Sequence, residues 1–81
     1  MKFQDLVSET KDMDLEKIGI VLGKDSTSLN TICAYKGNNV WIYKEYDDRG
    51  EAIVIRDTEE RICKLLKGAI DAAILHRSLN K

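Results

Sequence analysis

The residues of this chain best suited to chemistry are aromatic and charged side chains that lie together in residues 40–50. Trp41, Tyr43 and Tyr46 lead into an acidic turn at residues 47–50. Large rings beside fixed charges are typical of a protein-recognition surface, because Trp and Tyr bury much area and keep a polar group. The alternative is that these rings pack across neighbouring strands within a sheet.

Acidic residues are concentrated in the same part of the chain. Residues 45–60 contain seven Asp and Glu residues but only two basic residues, Arg49 and Arg56. Such a patch attracts a basic partner and speeds encounter with it. The alternative is a solvated turn followed by acids at a helix N-terminus. Since the spacing matches no EF-hand loop, we expect a protein partner and neither a metal nor a cofactor.

Motifs for catalysis are missing from the sequence. It contains no GxSxG, no HExxH and no phosphate-binding loop. Its single histidine, His76, is predicted to be either a cation near the end of a helix or a partly buried ring. Cys33 and Cys63 form neither a CxxC nor a zinc-binding spacing, so we interpret them as two buried thiols, with one disulfide as the alternative. We therefore predict a protein that is not an enzyme.

Size and composition restrict the class of protein further. At 81 residues the chain is predicted to form one domain, residues 1–81. Its composition, 43% hydrophobic and 33% charged, differs from the low hydrophobicity that is typical of disordered chains. A net charge of -1 argues against a general nucleic-acid binder. No run approaches the ~18 apolar residues of a membrane span, and the N-terminus does not resemble a signal peptide. We expect a cytoplasmic protein that binds neither nucleic acid nor a membrane.

Periodicity predicts which elements position these residues. Helical spacing of apolar residues predicts helices over residues 2–12 and about 58–78, the second with Asp57 as its N-cap. Short β-branched and aromatic runs, separated by polar turns, predict four strands between the helices. Those strands are residues 17–22, 29–36, 40–46 and 51–56. Gly and Asn at 37–39 and Gly50 supply turn residues that tolerate positive φ.

The predicted fold is α+β, with the order α-β-β-β-β-α. It consists of an antiparallel four-stranded sheet, a short N-terminal helix and a longer C-terminal helix. In the third strand, Trp41 and Tyr43 point to one face, while Ile42 and Lys44 point to the other. Both faces are rather apolar. Either this strand is central, or one of its faces meets a partner.

The sequence from Trp41 to Gly50, followed by a short strand and a helix that opens on acids and carries Cys63, resembles small immunity proteins of bacterial polymorphic-toxin systems. The resemblance covers residues 40–68, and the family pattern has Glu and Ala where this chain has Asp48 and Ile62. It implies a non-catalytic protein that binds a cognate toxin domain and occludes a surface which the toxin needs. The matching motif positions are Trp41, Tyr43, Asp47, Asp48, Arg49 and Gly50.

These observations together predict a partner-binding site for a cognate protein toxin. The predicted site residues are Trp41, Tyr43, Tyr46, Asp47, Asp48 and Arg49. Two alternatives remain open. One is a generic protein-interaction module that forms a homodimer through an edge strand. The other is an RNA-binding module, which is disfavoured because the last helix opens on acids where such modules carry basic residues.

Overall fold

A computed structural model describes residues 2–79 of the protein, except for the side chains of residues 76–79. Its architecture is α+β, with one four-stranded sheet and two α-helices. In chain order the elements are α1 (Phe3–Glu9), a 3₁₀ helix (Leu15–Ile18), β1 (Ile20–Leu22), β2 (Ile32–Lys36), β3 (Trp41–Tyr46), β4 (Ala52–Asp57) and α2 (Glu59–Leu79).

The strands lie in the order β1-β2-β3-β4, but the sheet is mixed. The β2–β3 and β3–β4 pairs are antiparallel, whereas β1 is parallel to β2, with Ile20 opposite Ile32. The prediction of a purely antiparallel sheet was therefore wrong at its first strand pair. An antiparallel neighbour needs only a reversal of the chain, but a parallel one needs a connection that returns to the starting end.

The nine-residue connection between β1 and β2 makes this return across one face of the sheet. Asp25 in this loop accepts hydrogen bonds from the Lys44 ammonium on β3, at 3.1 and 3.2 Å. The Cys33 thiol on β2 lies 3.7 Å from the same carboxylate and 3.8 Å from the Ser26 carbonyl oxygen. These contacts hold the loop against the middle of the sheet. After the loop, β2 begins beside the start of β1 and runs parallel to it.

Two predicted strands are shorter than expected. Lys17 and Ile18 belong to the 3₁₀ helix, which ends at Gly19 with a φ of 77°. A Cβ at Gly19 would also lie 2.7 Å from the Asn30 carbonyl oxygen, so the local backbone requires glycine there. The predicted second strand loses residues 29–31, because Leu29 and Asn30 form a turn.

The helices also differ in detail from the prediction. Helix α1 ends at Glu9, where the Thr10 hydroxyl donates a hydrogen bond of 2.9 Å to the Leu6 carbonyl oxygen. The predicted N-cap of α2, Asp57, is instead the last residue of β4. Thr58 caps this helix, because its hydroxyl oxygen accepts a hydrogen bond from the Arg61 N–H at 3.3 Å.

The hydrophobic core lies between the helices and one face of the sheet. Its fully or nearly buried members are Leu6, Ile20, Ala34, Tyr43, Ile62, Leu66 and Ile70. The N-terminal helix is held at the start of α2, where the Phe3 N–H donates to the Glu59 carboxylate at 2.9 Å. The Phe3 ring also packs on the Trp41 ring, with centroids 4.8 Å apart. The helices thus bury Leu6, Ile62, Leu66 and Ile70 against the sheet, whereas Leu65 is 39% exposed.

Both cysteines are buried free thiols, as expected, and they lie on different sides of the sheet. Cys33 lies beneath the crossing loop and Cys63 belongs to α2. Burial raises the pKa of both thiols, and the Asp25 carboxylate adds to the effect at Cys33. Neither thiol is therefore an activated nucleophile.

Candidate protein-binding site

The turn between β3 and β4 is organised by a single carboxylate. Asp47 Oδ1 accepts hydrogen bonds from the backbone N–H groups of Arg49 and Glu51, at 2.8 and 2.9 Å. Asn, Asp and Ser side chains commonly stabilise turns in this way. Gly50 has a φ of 86°, which confirms its predicted role as the residue that permits the turn to close. Asp47 therefore shapes the turn, whatever it contributes to binding.

A second turn packs against the first. The Asn30 N–H donates a hydrogen bond of 3.2 Å to the Asp47 carbonyl oxygen. A Cβ at Gly50 would lie 3.6 Å from Leu29 Cδ2, in ordinary van der Waals contact. The Leu29 side chain is nevertheless 56% exposed. The two turns consequently place an exposed apolar side chain beside the acids.

We define the acidic end of the sheet as Glu45, Asp47, Asp48 and Glu51, all of which are exposed. Arg49 is exposed beside them, and among the described side chains no ion pair joins it to Asp47 or Asp48. Among the described side chains, Arg49 therefore does not stabilise the turn through an ion pair. The acidic end of the sheet therefore exposes four carboxylates to solvent, with the Arg49 guanidinium beside them.

The predicted aromatic residues do not lie on one surface. Tyr43 is only 6% exposed and belongs to the core, and Trp41 is half-buried against Phe3 on the same face. Burial and the adjacent Glu45 carboxylate raise the pKa of Tyr43 to about 12. Tyr46 points to the opposite face and is half-buried. Of the six predicted site residues, Tyr46, Asp47, Asp48 and Arg49 lie together at the end of β3.

The exposed apolar surface of β4 was missed in the sequence analysis. Ile53 is 60% exposed and Val54 39% exposed, on opposite faces of this strand. Strand β4 is the last strand of the sheet and pairs with β3 alone. The sequence contained a usable signal, because the last strand of a meander is an edge strand and this one carries neither lysine nor proline.

A shallow groove of about 530 Å³ connects these features. Ile32 and Ile53 contribute apolar surface to it, while Glu45, Asp47 and Glu51 contribute carboxylates. An apolar surface with an acidic rim suits a lysine or arginine side chain, whose aliphatic stem packs while its charged end meets the acids. The groove therefore joins the acidic end of the sheet to the exposed edge of β4.

Charge is distributed unevenly along the chain. Residues 45–60 hold seven of the 14 acidic residues, whereas 11 of the 13 Lys and Arg residues lie elsewhere. The near-neutral net charge of -1 thus conceals a strongly acidic segment. A segment of this kind gives electrostatic specificity and a faster encounter with a basic surface.

Searches for other kinds of site and for relatives gave no matches. Within residues 2–79, no helix has the length and apolarity needed to cross a membrane. Among the described side chains, those of residues 2–75, no group of three or more His, Cys, Asp or Glu side chains is arranged to hold a metal ion. No protein-family model, curated protein or solved structure matches this chain.

Proposed function

We propose that this protein is a non-catalytic, cytoplasmic immunity protein that binds a cognate bacterial toxin domain and neutralises it by occlusion. The observation that carries the proposal is the combination of an exposed acidic end of the sheet with an unpaired apolar edge strand. The resemblance of residues 40–68 to small immunity proteins supports the choice of a toxin as the partner.

Neutralisation would follow from stoichiometric binding rather than from turnover. The acids would draw a basic surface of the toxin to the end of the sheet, and Tyr46 and Ile53 would supply apolar contact area around the groove. Toxins that act on nucleic acids carry basic surfaces for the phosphate backbone, so an acidic inhibitor suits that class. Covering such a surface excludes the substrate without chemistry by the inhibitor.

The test is a growth-rescue experiment together with a complex measurement. The open reading frames that neighbour this gene are each expressed in a host, with or without the protein, and a frame that arrests growth supplies the toxin domain. Complex formation with that domain is measured by size-exclusion chromatography with light scattering. We expect restored growth and a one-to-one complex. Growth that remains arrested, with no complex, would refute the proposed function.

A charge reversal locates the contact surface. Asp48→Lys combined with Glu51→Lys reverses two exposed charges and leaves the turn-forming Asp47 intact, and we expect affinity for the toxin to fall at least tenfold. The matched control is Asp12→Lys with Asp71→Lys, two exposed acids outside the acidic segment. Equal affinity in the two double variants would remove the acidic end of the sheet from the interface.

A homodimeric interaction module is the second candidate, and the exposed edge of β4 favours it. Two copies could join their β4 strands into one eight-stranded sheet. Light scattering of the purified protein separates the two candidates. A stable dimer that binds no toxin would replace the immunity function with this one.

A further inference from the structure

The outer side of β4 is a continuous backbone edge that another strand can join. Asp47 N–H donates to the Glu51 carbonyl oxygen at 3.0 Å, and this residue pair continues the β3–β4 register. In an antiparallel ladder, hydrogen-bonded pairs alternate with pairs whose N–H and C=O groups point outward. The groups of Ile53 and Ile55 therefore bond to β3, while those of Ala52, Val54 and Arg56 point away from it.

Side chains along this edge form a defined pattern. Glu51, Ile53, Ile55 and Asp57 share the face of the sheet on which the helices lie. Two apolar residues are thus bracketed by two acids. The Glu51 carboxylate has no ion-pair partner among the described side chains, whereas Asp57 lies 3.9 Å from the Arg61 guanidinium.

This pattern disfavours a second copy of the chain as the occupant. A two-fold antiparallel pairing that overlaps the whole strand is centred on Val54. It places Ile53 opposite Ile55, but it also places Glu51 opposite Asp57 at both ends. Like charges directly opposite one another destabilise a strand pair. The same acids attract a strand whose ends are basic.

We propose that β4 accepts an extended segment of the toxin partner, which pairs with it and carries basic residues opposite Glu51 and Asp57 and apolar residues opposite Ile53 and Ile55. This inference rests on the proposed function and adds the mode of recognition to it. Main-chain hydrogen bonds supply affinity in such strand addition, and alternate side chains supply specificity. The partner segment is therefore seven residues long, with basic residues first and last and apolar residues third and fifth.

The probe for this pairing is a blocked peptide, Lys-Thr-Ile-Thr-Ile-Thr-Lys, compared with the same peptide carrying Glu at both ends. Binding is followed by the chemical shifts and hydrogen exchange of the Ala52, Val54 and Arg56 amides. We expect these three amides to become protected by the basic peptide, and its affinity to be about tenfold higher than that of the acidic one. Equal affinities, or protection elsewhere, would overturn the inference.

Two variants separate backbone pairing from charge. Val54→Pro removes an outward N–H but none of the bonds to β3, and it should abolish peptide binding, whereas Val54→Thr should retain it. Glu51→Lys should remove the preference for the basic peptide, because each peptide then meets one like and one opposite charge. The Glu51→Lys variant therefore tests the proposed pairing even if the Val54→Pro protein does not fold.

The toxin assay distinguishes failure of this inference from failure of the proposed function. Folded Val54→Pro protein that still neutralises the toxin would overturn strand pairing and leave the immunity function standing. Peptide pairing in a protein that neutralises no toxin would support the edge as a site for basic strands and overturn the immunity function. A dimer that Val54→Pro converts to a monomer would overturn the inference in favour of a second copy.

Discussion

Replacing Asp47 by alanine should destabilise the protein through the turn that this residue organises. The change removes the acceptor of two short hydrogen bonds, from Arg49 N–H at 2.8 Å and Glu51 N–H at 2.9 Å. Because both donors are exposed, water partly replaces the lost acceptor. The net contribution is therefore about 0.5–1 kcal/mol for each bond.

The expected loss for Asp47→Ala is thus about 1–2 kcal/mol of the free energy of unfolding. In a domain of this size the loss corresponds to a fall in Tm of about 5–15 °C. Asp47→Asn keeps an oxygen acceptor without the charge, so it should cost about 0.5 kcal/mol or less. The matched control is Asp48→Ala, which removes the same charge from the neighbouring exposed position and should change stability by no more than about 0.5 kcal/mol.

Urea and thermal unfolding followed by circular dichroism measure these differences. Changes in the denaturation midpoint at constant slope report stability alone. If Asp47→Asn proved as destabilising as Asp47→Ala, the charge rather than the acceptor would hold the turn. If Asp47→Ala matched Asp48→Ala, the carboxylate would contribute nothing to the fold, and its role in shaping the turn would be refuted.

Three further predictions concern buried side chains. Leu66→Ala, at a fully buried position, should cost about 2–5 kcal/mol in urea unfolding, and a cost below 1 kcal/mol would contradict its place in the core. The pKa of Tyr43 is raised from 10.0 to about 12, so the free energy of unfolding should fall as pH rises through this range, and Tyr43→Phe should weaken this dependence; an unchanged pH profile would contradict it. Cys33 and Cys63 should react with a thiol reagent only as the protein opens, so reaction of the native protein as fast as that of the unfolded chain would contradict their burial.

Local features of the fold were predictable because they depend on neighbours in sequence. The 3.6-residue spacing of Ile62, Leu66 and Ile70 predicts α2, and all three of these residues are buried. Alternation along β3 correctly divides Tyr43 from Lys44. The turn at residues 47–50 follows from its own Asp and Gly residues, which close it through local hydrogen bonds and a positive φ.

The composition of the candidate site was predictable only in part. Its charged members, Asp47, Asp48 and Arg49, are exposed at a turn because a turn of this composition has little apolar surface to bury. The aromatic members divide between two faces, and alternation alone cannot tell which face the helices cover. Exposure of Ile53 also depends on the sheet, since β4 is paired along one side only.

The sequence by itself determined that this chain forms two helices and four strands, with an acidic turn between the third and fourth strands, because periodicity and turn chemistry act over a few residues. Only the tertiary structure decided the direction of β1, because the parallel pairing requires the loop between β1 and β2 to cross the sheet, where Asp25 contacts Lys44. It likewise placed Tyr43 on the face of the sheet that the helices cover. These outcomes depend on contacts between residues that are distant in the chain, and local propensity does not determine such contacts.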